Sequence, residues 1–195
     1  MLEFIIPVVG GTIVSIFLIR SAFNAGGNKV LNKLAEKYNL NFSANGTAPD
    51  GVGVYKGRWL MFKLEKAYPY ATINSPRSEL TNLIIRVGIH SDLHEKTSIC
   101  KKGPLEKSNS SITGNKKFDK KVIVQTESPD ETLNYLNEAR QDVILTQMDK
   151  YTILFGKVEN MDKHLFKQIT NKGGFKFFDK QLTYLIDLAE KIDAA

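Results

Sequence analysis

The chain has 195 residues, of which 42% are hydrophobic and 25% charged. Those proportions suit one globular domain or two small ones and exclude a disordered or collagen-like chain. A single Cys excludes a disulfide framework and a zinc site built on several thiolates. Lys and Arg total 27 against 21 Asp and Glu, giving a net charge of +6, well short of a dedicated nucleic-acid binder.

Residues 4–19 read FIIPVVGGTIVSIFLI and contain no charge. As a helix they span about 24 Å, and extension to Phe23 reaches about 30 Å, the thickness of a bilayer's hydrocarbon core, if Arg20 snorkels to the headgroups. Pro7 lies in the first turns, and Gly10 and Gly11 would let a second helix approach closely. A cleaved signal peptide needs a positive start and a small-x-small cleavage site, whereas this segment starts Met-Leu-Glu. A buried core helix would carry a polar face. The reading is an uncleaved single-pass membrane anchor over residues 1–23, formed by Phe4, Ile5, Ile6, Val8, Val9, Ile13, Val14, Ile16, Phe17, Leu18 and Ile19. Only Glu3 precedes it, while Arg20, Lys29, Lys33 and Lys37 follow, so the positive-inside rule places the C-terminal domain in the cytoplasm. The sequons at Asn41, Asn45 and Asn109 are then chance matches.

After a Gly-rich link, Val30, Leu31, Leu34, Ala35 and Tyr38 recur at helical spacing, with Lys29, Lys33 and Lys37 opposite. A helix is expected over residues 28–39, its basic face either solvated or lying on the bilayer. Residues 40–45 read as a short strand. Residues 52–55 and 58–64 flank Lys56-Gly57 as a hairpin, and residues 81–90 read as a further strand. Residues 68–77, with Pro69 and Pro76, read as a loop. The segment from Ser91 to Lys117 has few apolar residues and is expected to be a mobile loop or linker.

Residues 121–126 read as a strand. Ser128-Pro129-Asp130-Glu131 reads as a helix start with a capping box; that helix breaks near Asn137 and continues to Met148. A strand is expected over residues 151–155, and Lys157 to Glu159 could pair with it. Asp162 is expected to cap a short helix to about Thr170, and Asp179 to cap the last helix, which buries Leu182, Leu185, Ile186, Ala189 and Ile192. Strands gather early and helices late, which argues for an α+β fold with a largely antiparallel sheet. The divisions are residues 1–23 as anchor, 24–99 and 118–195 as two parts of the α+β domain, and 100–117 as a basic loop between them.

No phosphate-binding loop, nucleophile elbow or H-E-x-x-H occurs. His90, Asp92, His94 and Cys100 form the one metal-like grouping, and a solvated loop explains it better. Cys100 beside Lys101 and Lys102 has His94 as a conceivable base but no further catalytic grouping. The sequence thus assigns no catalytic, metal or cofactor-binding residue. The remaining candidates are cationic: Arg20, Lys29, Lys33, Lys37, Lys101, Lys102, Lys116, Lys117, Lys120 and Lys121, as contacts to anionic lipid or to an acidic partner. Phe118 is the single aromatic residue among the lysines of residues 101–121, too few to stack bases, so nucleic acid is disfavoured.

Three stretches carry a resemblance: Gly-Val-Tyr55-Lys-Gly-Arg58, then Lys117-Phe118-Asp119-Lys-Lys-Val-Ile-Val124 leading into Ser128-Pro129-Asp130, and the closing Leu-Ile-Asp-Leu-Ala-Glu-Lys-Ile192. By them the chain resembles uncharacterised bacterial membrane-anchored proteins with a soluble α+β domain. The resemblance implies a bacterial envelope setting and carries over no catalytic residue. The leading functional expectation is a non-enzymatic accessory or scaffold subunit docking a protein partner in a membrane complex. The alternatives are a membrane-tethered enzyme or ligand-binding domain, with a pocket near Tyr55, Arg58, His90 and His94, or a sensor of anionic lipid.

Overall fold

The computed structural model describes residues 29–43, 50–67, 80–90, 93, 96–103, 113–157, 163–170 and 174–195. The expected anchor, the loop over 68–77, the sequons at Asn45 and Asn109 and the proposed cap at Asp162 lie outside them. No helix among the described residues is long and apolar enough to cross a membrane.

The order is α1 (29–38), β1 (Asn41–Ser43), β2 (Asp50–Tyr55), β3 (Arg58–Ala67), β4 (Leu80–Gly88), β5 (Ser98–Lys101), α2 (Lys116–Lys121), β6 (Val122–Gln125), α3 (Pro129–Tyr135), α4 (Glu138–Gln147), β7 (Thr152–Phe155), β8 (His164–Thr170) and α5 (Phe175–Ala194). The strands form one antiparallel sheet in the order β1-β2-β3-β4-β8-β7-β5-β6. The chain is therefore an α+β domain with five helices among the described residues. The β2–β3 hairpin turns on Lys56 and Gly57, both at positive φ (50° and 77°), as a two-residue turn of this twist requires.

Strand alternation separates two faces. On one, Leu60, Phe62 and Leu64 of β3 oppose Val87, Ile85 and Leu83 of β4, and the row continues through Leu165, Leu154, Ile99 and Val124. All are buried, in one apolar cluster with the helices. From α5 come Phe178, Leu182, Leu185, Ala189 and Ile192, spaced three or four apart as one helical stripe. From α1 come Leu31, Leu34, Ala35 and Tyr38, and from the α4 region Ile144 and Met148. Gly51 is required here: a Cβ would fall 2.4 Å from the Phe62 ring, so β2 lets that ring lie flat beneath it. The other face carries Trp59, Met61, Ile84, Arg86, His164, Phe166, Ile153, Phe155, Cys100 and Ile123 by the same alternation.

Four expectations need correction. Residues 164–170 are strand β8, not a helix: Leu165, Lys167 and Ile169 point in and His164, Phe166 and Gln168 point out, a period of two that the inward lysine disguises. The last helix begins at Phe175 on Gly174, so Asp179 lies one turn inside it and does not cap it. The segment 91–117 holds β5, whose Ile99 is fully buried, and the first residues of α2, whose Asn115 side chain accepts from the Lys117 and Phe118 N–H groups. Ser128 makes no side-chain cap; its carbonyl accepts from the Thr132 N–H and hydroxyl instead. The break at Asn137 is real, and its side chain caps α4 by accepting from Arg140 N–H at 2.9 Å. β5 and β6, on either side of the basic loop, pair with each other, so one sheet spans it.

Candidate functional surfaces

The cationic candidates divide into three sets. Lys29, Lys33 and Lys37 recur every fourth residue and form one exposed stripe on α1, whose other side is in the core. Tyr38 locks that helix against α5. Its hydroxyl donates to Asp179 Oδ1 (2.8 Å) and lies 3.0 Å from Thr183 Oγ1, and its ring meets Tyr55 edge-on at 5.0 Å between centroids. Lys37 Nζ reaches the same Asp179 oxygen at 2.5 Å. Partial burial alone would push the Asp179 carboxyl up, but hydrogen bonds from Lys37 and Tyr38 outweigh it and hold it below the usual carboxylate range. The same bond raises Lys37, while burial raises the Tyr38 hydroxyl.

This clamp lays the α1 stripe beside the first half of α5, whose exposed face carries Lys176 and Lys180. Lys37 is thereby tied to α5 at Asp179, and Lys176 and Lys180 are exposed on the same half of α5, where the N-terminus of this 20-residue helix adds the positive end of its dipole. Lys176 and Lys180 sit in the stretch Phe175-Lys-Phe-Phe178-Asp-Lys180, where aromatic residues dominate the pattern. Their spacing of four was the available signal.

The second set, Lys101 and Lys102, serves the fold. Lys101 Nζ donates to the Leu145 carbonyl at 2.8 Å and Lys102 Nζ to the Asp119 carbonyl at 2.6 Å. Burial lowers the Lys101 ammonium's pKa, with the Asp149 charge opposing. The third set, Lys116, Lys117, Lys120 and Lys121, is exposed on α2. α2 leads into β6 and α1 into β1, the two edges of the sheet, seven strand spacings or about 33 Å apart. The structure therefore joins the α1 lysines to α5 and not to α2. Arg20 lies outside the described residues.

A buried polar group lies under the C-terminal end of α4. Lys167 occupies an inward position of β8, 3% exposed, with Nζ 2.5 Å from Asp149 Oδ2 and 4.5 Å from the centre of the Tyr184 ring. Asp149 also accepts from Thr152 Oγ1 (2.8 Å) and Tyr151 N–H (3.0 Å), and its own N–H donates to the Tyr184 hydroxyl (2.8 Å). Burial would raise this carboxyl, but the bonds from Lys167 and Thr152 more than offset that and hold it low. Burial raises the Tyr184 hydroxyl, which donates to the Gln147 carbonyl at 2.9 Å. Lys191 Nζ reaches Gln147 Oε1 at 2.6 Å. Lys101 and the Tyr184 hydroxyl thus bind the Leu145 and Gln147 carbonyls in the last turn of α4, and Lys191 binds the Gln147 side chain, at the negative end of that helix's dipole. The adjoining cleft, about 360 Å³, is lined by Gln147, Lys180, Thr183, Tyr184, Asp187 and Lys191. The arrangement braces α4 against the sheet. No local pattern marks it, since Asp149 and Lys167 are 18 residues apart and meet only through the tertiary structure.

Of the residues named for a pocket near the hairpin, Tyr55, Arg58 and His90 are among the described residues and make contacts within the fold. Arg58, 7% exposed, is bound by Asp193 of α5 and donates to the Gly88 carbonyl, and Asp193 also accepts from His90 N–H. Tyr55 is packed on Tyr38. Among the described residues no three His, Cys, Asp or Glu side chains could hold a metal together. His90 follows β4 while Cys100 is on β5, with β8 and β7 between them; Asp92 and His94 lie outside the described residues. On the outer sheet face, Trp59, His164, Phe155 and Phe166 form a row with ring centroids 6.4, 5.6 and 6.0 Å apart in succession. No protein-family model matches the chain, and no curated protein and no solved structure matches it.

Proposed function

We propose that this chain is a single-pass membrane protein of a bacterial envelope whose α+β domain lies with its helix layer toward the cytoplasmic bilayer surface and docks a protein partner. The observation that carries the reading is the lysine surface of α1 and α5. α1 is pinned to the domain by its apolar side and the Tyr38 contacts, and only residues 24–28 separate it from the apolar segment. Five extended residues reach about 18 Å at most. An anchor at residues 4–23 would therefore keep Lys29, Lys33 and Lys37 within reach of the headgroups, where each lysine near an anionic surface contributes about 1 kcal/mol. With the helix layer toward lipid, the outer sheet face turns away from it. Its exposed Val54 and half-buried Trp59, Met61 and Phe166 suit a protein partner with an apolar contact surface.

Membrane fractionation and gentle detergent extraction of the full-length protein test this. The expected result is a membrane-bound chain that survives a high-salt wash and is extracted together with a second polypeptide in fixed stoichiometry. Recovery in the soluble fraction would reject the anchor. A membrane-bound chain with no companion would reject the docking role.

A further inference from the structure

β6 is the last strand of the sheet, and its outward side carries main-chain groups that no strand among the described residues takes up. The register shows which groups these are. Lys102 N–H donates to the Lys121 carbonyl at 2.9 Å, so residues 121, 123 and 125 direct their amide groups at β5, and residues 122 and 124 direct theirs outward. The Val122 N–H is bound by Phe118 O of α2. The amide groups of Val124 have no strand partner among the described residues; Val122 is 2% exposed and Val124 6%, so the opening at this edge is a narrow strip at Val124.

Edge strands are commonly guarded by lysine. Here the charges on the two sides of the strand differ in sign. Lys116, Lys117, Lys120 and Lys121 precede β6; Glu127, Asp130 and Glu131 follow it, all seven exposed. A strand with cations at one end and carboxylates at the other is complementary to an antiparallel copy of itself. We infer that β6 is a self-association edge, pairing antiparallel with β6 of a second copy of this chain across a twofold axis at Val124.

The geometry of that pairing follows from the register. Val124 would exchange both main-chain bonds with Val124 of the second copy, as residues on the axis of an isologous contact must. Residue 121 would face residue 127, setting Lys121 against Glu127 of the second copy in both halves. The basic helix α2 would meet the acidic first turn of α3. Glu127 now holds Lys96 at 2.9 Å, but both side chains are about two-thirds exposed, so little opposes an exchange of partners. The axis runs perpendicular to the sheet, so both helix layers and both lysine surfaces of α1 and α5 face the same side. The pairing does not depend on the membrane reading, but it is compatible with two copies lying on one bilayer.

The test uses the full chain in mild detergent, with its mass followed by sedimentation over a range of protein concentration. The expected result is a concentration-dependent dimer. Val124→Pro removes the outward N–H at a position where an edge strand tolerates proline. It should weaken the dimer roughly 10- to 100-fold, by the loss of two main-chain bonds, with an unchanged circular dichroism spectrum. Lys121→Glu and Glu127→Lys should each weaken it, and the double variant K121E/E127K should restore it, because only the antiparallel register sets these two residues opposite each other. A monomer at all concentrations overturns the inference. So does a dimer indifferent to V124P, or charge reversals that do not rescue one another.

Discussion

The Lys167–Asp149 pair leads to a prediction whose sign depends on which partner is removed. Lys167 is 3% exposed on the inner face of the sheet, whereas the Asp149 side chain is 36% exposed. Asp149→Asn leaves an ammonium group in the core with no counter-charge. Breaking a buried pair in this way costs about 3–5 kcal/mol, and the lower end applies because water still reaches the carboxylate side. Lys167→Met keeps the aliphatic stem against Tyr184 and removes the charge. Asp149 then retains the Thr152 hydroxyl, the Tyr151 N–H and water. That change should cost less than about 1 kcal/mol, since apolar replacement of buried ions is often neutral. The double variant D149N/K167M should resemble K167M, well short of the summed single effects. Urea unfolding at neutral pH, read as a change in midpoint at constant slope, measures all three. Equal losses in the two single variants, or additive losses in the double, would refute the claim that the buried lysine is the costly member.

Other measurements probe other parts of the account. Asp149 and Asp179 both have carboxyls held below their unfolded values, so their contribution is present above about pH 4 and is lost as pH falls through the folded pKa. Acid unfolding of D149N should accordingly show a shallower loss of stability below about pH 4 than the wild type. Gly51→Ala should cost about 1–3 kcal/mol, because the added Cβ meets Phe62 at 2.4 and 2.6 Å; thermal melts should show G51A/F62L less destabilised than the sum of its parts. A chain lacking residues 1–23 should still sediment with anionic vesicles and not with neutral ones, less so as salt rises. Lys29→Glu and Lys33→Glu should each weaken that binding about fivefold or more.

The parts legible in the sequence were those with one dominant period or a turn that needs special backbone angles. The apolar stripes of α1 and α5 and the Lys56-Gly57 turn each left a pattern no competing element shares. β5 was hidden because it is four residues long, with one buried apolar residue inside a lysine- and serine-rich stretch. The sequence of β8 does not look like a strand because its inward lysine is satisfied by Asp149, a contact from another element that no short window along the chain contains. The α1 lysines were visible as a stripe, but their union with Lys176 and Lys180 depends on Tyr38 reaching Asp179 across the fold. The division of the basic loop, with Lys101 and Lys102 tied to carbonyls and the α2 lysines exposed, likewise required the tertiary structure.

The claim that the helix layer lies on the membrane is tested most directly by amine-reactive footprinting of the full-length protein. Each lysine's labelling would be read by mass spectrometry in vesicles containing anionic lipid and in vesicles of neutral lipid. Lys29, Lys33, Lys176 and Lys180 should be protected in the anionic vesicles and regain reactivity in neutral ones or at high salt, while Lys116, Lys117 and Lys120 change much less. Protection of the α2 lysines with the α1 and α5 lysines left reactive would contradict it, as would labelling indifferent to lipid charge.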